Sequence, residues 1–211
     1  DIPISLIVNM SDVFEKKGEM NSTERFVVRY LKTTHCDLFF ADAVILIEGA
    51  AERILLPKFI EKFSVLNSCY ISLLEINGSH AHRLRSLIEK LGITCLIITD
   101  LDAIYSEKNR KSVIPQRKKG QISNSATLKK WVPQSEDIDY LLDLAEAGKM
   151  VALKGDSDSF VRVAYQTPIK ISLTGKRKIE MLSNTFEDVL VYKNYDIFKT
   201  IKGTGMIKKF N

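Results

Sequence analysis

The chain lacks an apolar run of about 20 residues, the length a membrane-spanning helix needs, so it is not read as a membrane protein. Its opening, Asp1-Ile2-Pro3, has neither the basic start nor the apolar core of a secretory leader. No Gly-x-x-x-x-Gly-Lys-Ser/Thr occurs. Gly175-Lys176 lacks both the upstream glycine and the following hydroxyl, so ATP hydrolysis cannot be assigned to these residues. Cysteine is scarce: the three thiols Cys36, Cys69 and Cys95 have no metal-ligand spacing. Cys69 and Cys95 fall in or beside apolar runs and are expected to be core thiols in a reducing cytoplasm. The single tryptophan, Trp131, is expected in the core rather than on a base. The chain opens on Asp rather than Met, so it is expected to be a piece of a longer protein. What is present is ordinary for a soluble globular chain: 211 residues, 45% hydrophobic and 27% charged, enough for one domain with or without a large insertion. The net charge of +5 permits a polyanionic partner without demanding one.

The organising stretch runs from Asp42 to Asp102. Ala43-Val44-Ile45-Leu46-Ile47 ends in Glu48-Gly49-Ala50-Ala51-Glu52; Tyr70 to Ile76 ends in Asn77-Gly78-Ser79; and Thr94 to Thr99 ends in Asp100-Leu101-Asp102. Short continuous runs of Ile, Leu and Val predict strands buried on both faces, as in a parallel sheet. Helical patterns from Ala50 to Phe63 and from Ala81 to Leu91 fill the gaps. Strand, helix, strand, helix, strand predicts an α/β fold with a Rossmann-like parallel sheet flanked by helices. In such sheets the functional crevice lies at the carboxyl ends of the strands, where Glu48, Asp100 and Asp102 fall.

Carboxylates gathered at one edge repel, and burying one unpaired charge costs several kcal/mol or shifts its pKa. A bound cation relieves this, and oxygen-only ligands favour Mg²⁺ or Mn²⁺ over zinc. Glu48 and Glu52 lie one helical turn apart, and Asp100-x-Asp102 presents two carboxylates at a strand tip. If the strands are adjacent, the four can surround one or two ions, and two ions can clamp the attacking and leaving oxygens of a phosphodiester. Each half has a bland reading: Glu-x-x-x-Glu as a solvated helix face, and Asp-x-Asp as a turn or cap. An aspartyl phosphatase, with Asp100 as nucleophile and Asp102 as acid/base, also fits the second half but leaves Glu48 and Glu52 unexplained.

Glu-Gly after one strand and Asp-x-Asp after a later one resembles the Toprim domain of topoisomerases, primases and several nucleases. Thr34 through Gly49 resembles more narrowly the Toprim entry of the OLD (overcoming lysogenization defect) family of ATP-dependent endonucleases. So do Ala81-His82-Arg83, Ile98 to Asp102, Ser123 to Leu128, Arg162 to Pro168 and Phe186-Glu187-Asp188, all in the family's order from about residue 25 to about 198. The resemblance implies a Toprim-type domain over residues 36–211 with a small helical insertion at about 105–150. Residues 1–35 would be the junction from an N-terminal ATPase domain absent here. It implies metal-dependent DNA endonuclease chemistry, with Glu48, Glu52, Asp100, Asp102 and Glu187 as ligands of Mg²⁺ or Mn²⁺, two ions in all. Glu48 and Asp100 would be catalytic, with Lys208 or Lys209 as the family's catalytic lysine near the scissile phosphate. Expected partners are DNA, the missing ATPase domain and a second copy in a homodimer, with no membrane. Strand passage or primer synthesis would need further groups. A non-catalytic DNA-binding or regulatory module would bind DNA without metal-dependent turnover.

The rest is read from local pattern. His82 and Arg83, with Gly78, start the second helix near the strand-end edge and are candidate phosphate contacts. Glu107 to Lys119 predicts a mobile loop whose Lys108, Arg110, Lys111, Arg117, Lys118 and Lys119 could meet a nucleic-acid backbone. Helices are predicted from Asn21 to His35, from Ser125 to Trp131 and from Glu136 to Ala147, closed by Gly148. Val161 to Ile171 predicts a fourth strand, and Asn184 or Thr185 caps a helix holding Glu187 and Asp188.

Overall fold

The computed structural model describes residues 25, 27, 35–105, 111–154, 158–172, 178–198, 200 and 201. The strands among them are β1 (Ala43–Ile47), β2 (Ile71–Glu75), β3 (Thr94–Ile98), β4 (Ala103–Tyr105), β5 (Gln121–Ser123), β6 (Met150–Ala152), β7 (Phe160–Ala164), β8 (Ile169–Ile171) and β9 (Ile179–Met181). The α-helices are α1 (Ala50–Ile60), α2 (Ser64–Asn67), α3 (Arg85–Leu91), α4 (Ala126–Lys130), α5 (Ile138–Asp143), α6 (Phe186–Lys193) and α7 (Tyr195–Phe198). The chain divides into two compact units, the first of residues 1–99, 126–134 and 145–164, the second of 100–125, 135–144 and 165–211.

The first unit is built on a five-stranded sheet of order β2-β1-β3-β7-β6. β1 lies between β2 and β3, all parallel, and β7 extends the parallel set from β3. β6 pairs antiparallel to β7 at the edge. The fold is therefore the expected α/β class. The crossover through α1 runs from β1 to β2, and the one through α3 runs from β2 past β1 to β3. Right-handed crossovers in opposite directions put their helices on opposite faces.

One face carries Ile45 and Ile47 packed with Leu56 of α1, with Ile60, Ile71, Leu73, Leu96 and Ile98 around them. Val44, Leu46, Leu74, Cys95, Ile97 and Val161 point the other way and are fully buried. Only β1 is buried almost throughout; β2, β3 and β7 alternate between buried and half-buried, which corrects the expectation of two fully covered faces. Cys95 is core, as expected, but Cys69 is exposed and donates to the Val65 carbonyl at 3.2 Å, because it precedes β2 rather than lying in it. Trp131 is buried.

The second unit pairs β4 with β5 and β8 with β9, both antiparallel. α5 is capped by Asp137, whose side chain accepts from Tyr140 N–H at 2.7 Å. The expected strand Val161–Ile171 is two strands, β7 and β8, parted by Tyr165 to Pro168. Proline offers no ladder donor and restricts the residue before it. The expected helix Glu136–Ala147 shortens to α5, because Leu144 and Ala145 are extended before a 3-10 turn at Glu146–Lys149. Residues 111–119 are tied down: Ser112 bridges Ile104, and Val113 N–H donates to the Ala103 carbonyl at 2.9 Å. Of the predicted helix Asn21–His35, Arg25 and Val27 are described and helical, whereas His35 is outside any helix and precedes a 3-10 helix at Cys36–Phe40. The sequence pattern also predicts a short strand at Ile4 to Val8 and a turn at Gly175 to Arg177, and both lie outside the described residues.

Candidate active site

β1 is where the strand order reverses, with β2 on one side and β3 on the other, and such a switch point is where open α/β sheets hold ligands. Glu48 follows β1 directly and Thr99 follows β3 directly. The Thr99 hydroxyl donates to Glu48 Oε1, and Thr99 is itself buried, so the bond orients the carboxylate from below. Glu52, in the first turn of α1, is only 4% exposed. A methyl group on Gly49 would lie 3.5 Å from Glu52 Oε2, so this carboxylate folds back over the Glu48-Gly49 step. The positive end of the helix favours a carboxylate there.

The exit of β2 stays bound to the exit of β1: Ile76 N–H donates to the Ile47 carbonyl at 2.8 Å and Gly78 N–H to the Glu48 carbonyl at 3.3 Å. Asn77 and Gly78 both have positive φ, +52° and +91°, the conformation that glycine takes at least cost. From this turn the chain enters the 3-10 helix Ala81–Leu84. Ser79 ties it to α4, its hydroxyl accepting from Ala126 N–H at 3.3 Å and its carbonyl from the Thr127 hydroxyl at 3.1 Å. Arg85 reaches the Lys130 carbonyl at 3.4 Å while paired with Glu89 at 2.7 Å. Burial first, then the charges of Lys130, Arg83 and His80, hold the His82 imidazole below its ordinary pKa, and its buried Nδ1 has no hydrogen-bond partner among the described residues. A cationic surface is thus assembled from two segments distant in sequence. His82 and Arg83 were legible in the sequence; Lys130 was not, because only the Ser79 contacts bring α4 here.

In the second unit, Asp100 Oδ1 accepts from Gln166 Nε2 at 2.6 Å and from Phe186 N–H at 3.0 Å. Phe186 is the first residue of α6 and Glu187 the second, so Asp100 is held at the start of the helix that carries Glu187. Thr185 and Asp188 form a capping box there. Glu187 is exposed. Asp102 has φ +47°, its carbonyl accepts from Asn124 N–H at 2.9 Å, and burial pushes its carboxyl pKa up. Asn184, which is buried, receives Ala103 N–H at 2.7 Å and donates to Ser112 at 2.7 Å.

The basic run divides. Arg117 is bound in ion pairs with Asp143 at 2.7 Å and Glu180 at 2.9 Å, which raise its pKa further. Lys118 has its backbone N–H on Asp139, 2.8 Å from Oδ1, and Lys111, Lys118 and Lys119 are exposed. Lys108, Arg110, Lys208 and Lys209 lie outside the described residues. Among the described residues no three His, Cys, Asp or Glu side chains stand together as a metal-holding group. Glu48 and Glu52 belong to the first unit, and Asp100, Asp102 and Glu187 to the second. The donors still suit a hard divalent ion: all are carboxylate oxygens, Glu52 is buried, and burial disfavours the charge on Asp102, which an adjacent cation would restore.

Residues 39–102 match the family model of the overcoming lysogenization defect protein-like TOPRIM domain. The chain is also similar to the protein named endonuclease GajA of Bacillus cereus (strain HuB5-5), 29% identical over 198 residues. That alignment covers 84% of this chain but 29% of the relative, so the chain spans less than a third of the relative's length. No solved structure matches. Among the described residues no helix is long and apolar enough to cross a membrane.

Proposed function

We propose, on the premise that residues 39–102 of this chain form a TOPRIM domain of the OLD-like family, that it is the metal-dependent DNA endonuclease part of a longer protein. The observation that carries this reading is the position of two acidic residues. Glu48 follows β1 and Asp100 stands two residues past β3, the strands being neighbours in the sheet and both within the family match. Glu48, Glu52, Asp100, Asp102 and Glu187 would hold two Mg²⁺ or Mn²⁺ ions. When bound, such ions lower the pKa of a water and stabilise the leaving oxygen of a phosphodiester.

The chain's own residues do the rest. Thr99 keeps the Glu48 carboxylate in one orientation through its hydroxyl. Arg83 and Lys130, with the largely uncharged His82 ring beside them, give the phosphate backbone a cationic seat beside the turn hydrogen-bonded to Glu48. Lys108, Arg110, Lys111, Lys118 and Lys119 are further candidate contacts to the phosphate backbone; Arg117 contributes less, because its guanidinium is already engaged by two carboxylates. Lys208 or Lys209 would stabilise charge developing on the scissile phosphate. An ATPase region elsewhere in the full-length protein and a second copy of the chain are the further partners.

The test is nicking of supercoiled plasmid with Mg²⁺, Mn²⁺, Ca²⁺ or chelator, comparing the wild type with Asp100→Ala. Cleavage by the wild type with Mg²⁺ or Mn²⁺, and its loss in a folded Asp100→Ala protein, is expected. Full activity in Asp100→Ala would overturn the assignment. Metal-independent DNA binding without cleavage would favour the regulatory-module reading, and turnover of small phosphate esters would favour an aspartyl phosphatase.

A further inference from the structure

Gln166 is 5% exposed, and both ends of its amide are engaged on one dipeptide. Nε2 donates to Asp100 Oδ1 at 2.6 Å, and Oε1 accepts from Leu101 N–H at 2.8 Å. The amide cannot be turned over, since Leu101 N–H is only a donor and requires the oxygen, which leaves the nitrogen facing the carboxylate. Gln166 therefore spans from the side chain of Asp100 to the backbone of the next residue and fixes one relative to the other. The α6 start adds Phe186 N–H to the same Oδ1 at 3.0 Å. The residue before is pinned as well: Tyr165 is buried and its hydroxyl donates to the Leu141 carbonyl at 2.9 Å. All these groups lie in the second unit.

The chemistry of the donors matters. Two neutral N–H groups on one carboxylate oxygen orient it without cancelling its charge. A lysine or arginine in the place of Gln166 would compete with a cation for the same carboxylate. A buried amide whose two ends were not both satisfied would be costly, so apolar packing alone gives no reason for glutamine here. We propose that Gln166 is a positioning residue, holding the Asp100 carboxylate in the orientation in which it takes a divalent cation. This rests on the reading of Asp100 as a metal ligand.

The test compares wild type, Asp100→Asn, Gln166→Met and Gln166→Asn as full chains. Gln166→Met keeps the length and removes both polar ends; Gln166→Asn keeps the amide and shortens its reach. Mn²⁺ binding is measured by the loss of the free-ion electron paramagnetic resonance signal at a temperature where circular dichroism shows the native fold, and the metal-free melting point is measured alongside. Both Gln166 variants are expected to bind Mn²⁺ about 10-fold or more weakly, the range for lost partners of metal ligands. A merely structural glutamine would lower the melting point and leave Mn²⁺ affinity of the folded protein unchanged, which would overturn the proposal. Should Gln166→Met not fold, Gln166→Asn decides by the same measurement. Weakened binding in Asp100→Asn with unchanged binding in the Gln166 variants removes this inference alone. Unchanged binding in Asp100→Asn removes the metal-ligand reading, and this inference with it.

Discussion

A residue's chemistry in this chain is set by what its neighbours donate. Thr99 and Gln166 look unremarkable in sequence, yet one donates to Glu48 and the other to Asp100. His82 shows the converse, a ring whose neighbours oppose its charge. Its folded-state pKa lies below the ordinary value, so the unfolded chain binds the proton more readily than the folded one. The stability it contributes is therefore complete above the unfolded value of about 6.5 and is lost as pH falls through the lower folded value. Chemical denaturation from neutral to mildly acidic pH should show this decline in the wild type and a shallower one in His82→Gln. Identical pH profiles would remove His82 as its source.

At the scale of the element, α6 decides where two acidic positions stand. Its start is closed by a capping box: Asp188 N–H donates to the Thr185 hydroxyl at 3.3 Å, and Asp188 Oδ2 accepts from Asn184 N–H at 3.0 Å and Thr185 N–H at 3.1 Å. The same start supplies Phe186 N–H to Asp100. Asp188→Ala should therefore destabilise the protein by about 1 kcal/mol, the usual cost of a lost cap. Denaturant melts of the two proteins measure it, and a difference near zero would mean that the box adds nothing to stability. α5 is shorter than its amphipathic pattern suggests, because Leu144 and Ala145 take extended conformations that a periodicity argument does not see.

At the scale of the whole molecule, the net charge of +5 would make the proposed DNA binding salt-dependent but does not say which cations take part. Arg83 and Lys130 lie around His82, whereas Arg117 is paired twice. Arg83→Ala and Lys130→Ala should each weaken duplex binding and reduce the slope of log affinity against log salt by about one. Arg117→Ala should leave that slope close to the wild-type value. Fluorescence anisotropy across a salt series distinguishes them, and the reverse ranking would move the DNA track to residues 108–119.

The α/β class, the three central strands and the positions of Glu48, Asp100 and Asp102 just past strand ends are legible in the sequence. Continuous Ile, Leu and Val runs ending in acid-bearing turns leave few other folds. Strand order is not a property of any run, so the place of β1 between β2 and β3 belongs to the tertiary structure. So do the partners. Thr99 with Glu48, Gln166 with Asp100 and Asn184 with Ala103 stand 51, 66 and 81 residues apart. Local propensity and periodicity reach only a few turns of chain, and a hydrogen bond between distant residues carries no periodic signature. What the sequence by itself determined is which acids stand at strand ends. Only the tertiary structure decided which groups orient them, because buried donors and acceptors find their partners through packing.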